Sequence, residues 1–73
     1  MTSSHLAATA TIREALRSLS AEHRGAIIRV HFLRESLSEF ARGERISGAT
    51  ARSLLHDALH ALRLAVRVRG VLP

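Results

Sequence analysis

The stretch SGATARSLLHDALHALR, residues 47–63, holds two suggestions that pull apart. His56-Asp57-Ala58-Leu59-His60 is a near miss of H-E-x-x-H, where two histidines one helical turn apart bind zinc and the glutamate is the general base. Read from Ser47, the same residues make an amphipathic helix. Ala51, Leu55, Ala58, Leu62 and Ala65 form an apolar stripe, widened by Leu59 and Val66. The spacing predicts a helix from Ser47 to about Arg67 or Val68, ended by Gly70. Its first turns carry Ala49, Thr50, Arg52, Ser53 and His56, where a DNA-reading helix places its base contacts.

The metal reading is the weaker one. Asp57 is a methylene shorter than the glutamate the pattern needs, and a catalytic zinc needs a third protein ligand. His5, His23 and His31 qualify only by count. Two solvated histidines on a helix flank are the plainer reading. There is no glycine-rich phosphate loop, no spacing suited to a catalytic triad, and little room in so short a helical chain for a closed pocket. The expectation is a protein that is not an enzyme and uses no cofactor and no metal.

Upstream of Ser47 the helix signals continue. Thr11-Ile12-Arg13-Glu14 reads as a capping box, followed by Ile12, Ala15, Leu16 and Leu19 at helical spacing, for a first helix over about residues 12–19. Ser20, with Glu22 in the first turn, opens a second helix that buries Ile27 and Val30, with Phe32 or Leu33, and ends near Leu33. Ser36-Leu37-Ser38-Glu39 is another capping box; it starts a short third helix carrying Leu37, Phe40 and Ala41, which Gly43 can stop. Residues 1–10 are rich in Ser, Thr and Ala and read as a flexible tail, leaving residues 11–70 as one domain. The fold class expected is all-α: a compact four-helix domain with a helix-turn-helix and a long C-terminal recognition helix.

Composition bounds the rest. The 73 residues are 47% hydrophobic, enough for one small core. A core this size rarely supplies more than roughly 3–5 kcal/mol. Cysteine is absent, so neither a disulfide nor a thiolate metal site contributes. The net charge is +5, and all 11 basic residues are arginine, whose planar guanidinium suits phosphate and carboxylate. That charge fits nucleic acid, an acidic protein surface or anionic lipid. No apolar run approaches a membrane span and the N-terminus lacks a secretory pattern, so the sequence reads as cytoplasmic, with no membrane partner. On the helix-turn-helix reading, Arg24, Arg42 and Arg45 add phosphate contacts to those of the fourth helix.

Two runs, LRSLSAEHRGAIIRVHF (16–32) and SLSEFARGERISGATARSLLHDALHALRLAV (36–66), carry a family resemblance. Together they resemble region four of the extracytoplasmic-function (ECF) sigma factors, closest to actinobacterial members. Leu19, Ser20, Glu22, His23 and Arg24 match a first block "L..LS.EHR.V". Ser36, Glu39, Ala41 and Arg42 match the third helix; Thr50 and Ser53 match "GTVKSR", with Arg52 for its Lys; Ala58, Leu59, Ala61, Leu62 and Arg63 match "AL.ALR". The resemblance implies contact with a promoter −35 element through helix four and docking on the flap of the RNA polymerase β subunit through apolar surface. An anti-sigma factor is a further partner it implies. Region two, which melts the promoter in such factors, is not present in these 73 residues.

This chain departs from the family pattern at its turns. Arg34 stands where the family has Gly, Glu44-Arg45 where it has Leu-Gly, and Leu54 where "GTVKSR" ends in Arg. A buried Glu44 would be costly unless paired, and a left-handed Arg45 would cost on the order of 1 kcal/mol or more. Either Gly43 and Gly48 take over the bends with Ile46 turned inward, or the turn is poorly formed. Leu54 is expected to leave an apolar side chain near the DNA face. These departures motivate a second reading: a degenerate interaction module that binds flap or anti-sigma factor with little DNA affinity. A LuxR-type helix-turn-helix regulator shares the helix start but not the ALHALR ending.

Overall fold

Three serines set three helix starts. In the computed structural model, whose described residues are 11–68, Ser20 Oγ accepts from His23 N at 3.2 Å and opens α2, Ala21–Ile27. Ser36 opens α3, Leu37–Glu44, with both halves of the capping box formed: Glu39 N donates to Ser36 Oγ (3.0 Å) and Ser36 N to Glu39 Oε1 (2.8 Å). Ser47 Oγ accepts from Thr50 N at 3.0 Å ahead of α4, Gly48–Val68. The first helix, α1, covers residues 11–18. Among the described residues there is no strand. The fold is all-α, with α3, a short turn and α4 forming a helix-turn-helix.

The core is built mostly from alanine. Ala26 of α2, Ala41 of α3, and Ala51 and Ala58 of α4 are buried, and such small side chains let helix axes approach closely. Phe40 and Ile27, each 2% exposed, fill the space between them. Leu16, Leu19, Val30, Leu37, Ile46, Leu54, Leu55, Leu59 and Leu62 close over this centre from α1, α3, α4 and the segments between the helices. The apolar stripe read along α4 is the face that packs on α2 and α3.

Four expectations need correcting. Residue 11 is already helical, so Thr11 is not the cap of α1. The second helix does not run on as an α-helix: Ile28–Phe32 widens into a π-helical turn, with Leu33 N bonding to Ile28 O at 2.8 Å. That widening rotates the end of the segment, and Phe32 (59%) and Leu33 (64%) are exposed rather than buried. Gly43 does not stop α3. It stays helical, and the left-handed cap is Arg45. The proposed tail, the domain's last two residues and the Gly70 terminator lie outside the described residues.

Candidate nucleic-acid interface

At 3.6 residues per turn, the buried stripe of α4 leaves Ala49, Ser53, His56 and His60 on the side turned away from the core. All four are exposed, as are Thr50 and Arg52 on the two flanks of that face. Thr50 Oγ1 accepts from Ser47 Oγ at 2.9 Å, so the hydroxyl is held at the helix start. Arg52, His56, His60, Arg63 and Arg67 follow at intervals of three or four residues, all exposed, as a basic stripe about 22 Å long at 1.5 Å per residue. Arg52 has no acidic partner among the described residues. Its guanidinium is therefore free to meet a phosphate or a guanine edge.

The other arginines singled out from sequence are placed unequally. Arg42 is exposed on α3, and Arg45 is exposed in the turn. Arg24 is half-buried, and its Nη1 donates to Arg17 O at 3.2 Å, tying α2 to the end of α1. Arg42, Arg45, Thr50, Arg52, Ser53 and His56 are thus all exposed, the first on α3, the second in the turn and the rest on the first turns of α4, whereas Arg24 has a structural bond to make.

Beside Thr50 and Ser53 lies an open cleft of about 330 Å³, lined also by Glu22, Glu44, Ile46, Leu54 and Asp57. Three carboxylates next to the face that would meet phosphate were not anticipated from the sequence, because Glu22 and Glu44 come from other helices. Leu54 is half-buried, packs against the core and lines this cleft. An apolar side chain therefore does lie beside Thr50 and Ser53, as expected of Leu54. As for metal, His56 and His60 are one turn apart, but no group of three or more His, Cys, Asp or Glu able to hold an ion occurs among the described residues.

Sequence reasoning also missed Arg29. Its Nε donates to Glu35 Oε1 (3.1 Å) and Oε2 (3.2 Å), its Nη1 meets Glu44 Oε2 (2.6 Å), and its Cζ sits 5.0 Å from the centre of the Phe40 ring. The hydrogen bond to Glu35, with the nearby charges of Glu35 and Glu44, holds the guanidinium protonated still more firmly than usual, against a smaller effect of burial. Glu39 is shifted the other way: the Ser36 backbone N–H bond lowers its carboxyl below the ordinary range, helped by the Ser36 hydroxyl.

No family model matches the chain. Over 60 residues it is 42% identical to the ECF RNA polymerase sigma factor SigL of Mycobacterium tuberculosis, alike in three strains. The match covers 82% of this chain and 34% of the relative. This chain carries a domain like region four of the ECF sigma factors. It spans about a third of the length of the curated relatives it matches.

The departures from the region-four pattern now have structural explanations. Arg34 and Arg45 take the left-handed conformation that glycine would take more cheaply, with φ of 62° and 59°. Glu44, in place of an apolar residue, is not buried: its side chain is 44% exposed and paired with Arg29. Ile46 supplies the missing apolar contact by packing inward. Of the first way out foreseen for the turn, Ile46 does turn inward, but Gly43 stays helical and the bend falls on Arg45, with Arg29 neutralising Glu44. Among the described residues no helix is long and apolar enough to cross a membrane.

Proposed function

We propose that this chain is a region-four-like DNA-binding module that recognises a promoter −35 element with α4 and docks on RNA polymerase in transcription initiation. The observation that carries the reading is the exposed start of α4: Ala49, Thr50, Arg52, Ser53 and His56 stand clear of the core, and we assign the exposed Arg42 and Arg45 to phosphate. The 42% identity to a sigma factor supports it. The surface we assign to the β flap is the apolar groove of Ile12, Leu16 and Phe32 between α1 and the end of the π turn. Neither a cofactor nor a catalytic group is assigned, because the work is done by binding.

The test is fluorescence anisotropy on a pool of promoter duplexes at two salt concentrations. Sequence-selective binding that weakens steeply with salt is expected. Arg52→Ala should lower affinity for the preferred duplex by roughly 5- to 150-fold, the range for losing one bidentate base contact. Unchanged binding in that variant would remove α4 as the reader.

A second reading is favoured by the acidic cleft. Glu22, Glu44 and Asp57 repel phosphate beside Thr50 and Ser53, while the apolar groove and exposed Leu33 remain open to a protein. On that reading the module binds the polymerase flap or an anti-sigma factor with little DNA affinity. Flap binding in the absence of any duplex binding would select it.

A further inference from the structure

The direction in which α4 leaves α3 decides where the reading face points, and one side chain from another segment touches α3 just ahead of its start, in its middle and at its last residue. Arg29 sits in the π turn after α2. It bonds Glu35 just before α3, Glu44 at the last residue of α3, and lies over Phe40 in the middle of it. Its path crosses α3 at Gly43, where an added Cβ would lie 2.5 Å from Arg29 Nη2. Gly43 is therefore helical glycine that makes room for a guanidinium, which explains why it does not serve as the bend. We propose that Arg29 is a positioning residue for the recognition helix, a clamp that fixes both ends of α3 and so sets the exit of α4. The inference rests on the DNA-reading function proposed above.

The chemistry requires arginine. The planar fork meets one carboxylate along its Nε–Nη2 edge and a second through Nη1 while its face covers the Phe40 ring. A lysine ammonium is a single point and cannot span both carboxylates and the ring. Isolated surface ion pairs contribute little. This one differs in joining three segments, with the side chain only 29% exposed.

The experiment compares the full chain with Arg29→Lys, Glu44→Gln, Gly43→Ala and, as a control, Gly25→Ala, whose added Cβ meets nothing within 4 Å. Anisotropy is read on a duplex selected from a random pool and on a scrambled duplex; amide hydrogen exchange is read over residues 45–51. Arg29→Lys keeps the charge, so affinity for the scrambled duplex and the salt slope should stay. Discrimination between the duplexes should fall about three- to tenfold, the scale of one lost oriented bond, and exchange over residues 45–51 should quicken. Glu44→Gln separates two causes by sign. Removing a negative charge alone tightens both duplexes, whereas a lost clamp narrows the gap between them. Gly43→Ala should behave as Arg29→Lys does, and Gly25→Ala as the parent. Unchanged discrimination and unchanged exchange in Arg29→Lys overturn the proposal. If the parent chain selects no duplex, the DNA-reading function fails, and exchange alone decides the clamp: faster exchange in Arg29→Lys keeps it, unchanged exchange ends it.

Discussion

On either side of α3 the chain bends at an arginine in the left-handed conformation, Arg34 before it and Arg45 after it. The later bend closes as a helix usually does. Ile46 N bonds Ala41 O (3.0 Å) and Arg45 N bonds Arg42 O (3.2 Å), the two bonds of a Schellman motif, and the following Ile46 packs on the core. The earlier bend is wider. It follows a π turn, its closing bond runs from Glu35 N to Arg29 O (2.9 Å), and the apolar residues leading into it, Phe32 and Leu33, face solvent. Two bends with the same backbone sign are thus held differently. One has an apolar anchor; the other relies on hydrogen bonds and on the Arg29–Glu35 pair.

The largest expected effect breaks that asymmetry directly. Ile46→Ala removes the anchor of the later bend and should destabilise the chain by about 1–2 kcal/mol, less than for a fully buried isoleucine. Leu33→Ala, at the earlier bend, should stay within about 0.5 kcal/mol. Urea unfolding of the two variants reads the difference, and equal losses would mean that the bends are anchored alike.

Smaller changes come from the bends themselves. A left-handed non-glycine residue costs roughly 1–2 kcal/mol, and the extra chain entropy of glycine returns roughly 0.5–1 kcal/mol of that. Arg34→Gly and Arg45→Gly should therefore each raise stability by about 0.5 kcal/mol. The pair separates at DNA. Arg45 is beside the start of α4, so its replacement should weaken duplex binding even as the fold gains, while Arg34→Gly should leave binding alone. Loss of binding in Arg34→Gly would move the DNA face toward the earlier bend.

Which of these features were legible in the sequence follows from their range. The caps at Ser20, Ser36 and Ser47 act over three residues, and all three formed. The apolar stripe of α4 is periodic and was readable for the same reason. Arg29 was not, since its partners lie six and fifteen residues away and no local period joins them. Nor was the π turn, which shifts Phe32 and Leu33 outward without any proline or glycine to mark it. At the candidate interface, the outward residues of α4 were legible from helical geometry, but the carboxylates that crowd Thr50 and Ser53 come from three separate helices.

The smallest effect concerns the starts of α3 and α4, which look alike but differ in one group. Both begin with a serine that caps the residue three positions on; at α3 that residue is Glu39, at α4 it is Thr50. Glu39 returns a bond to the Ser36 N–H, and this bond lowers its carboxyl below the ordinary glutamate range in the folded chain. A depressed carboxyl stabilises the fold above its unfolded-state value, and that contribution disappears as pH falls through the lower folded-state value. Unfolding of the parent chain should therefore become easier on acidification below the normal glutamate range. Glu39→Gln should flatten the part of that dependence due to α3, whereas Thr50→Ser at the start of α4 should not change it. An unaltered pH profile in Glu39→Gln would show that the reciprocal half of the capping box contributes nothing, and that the two helix starts are held by their serines alone.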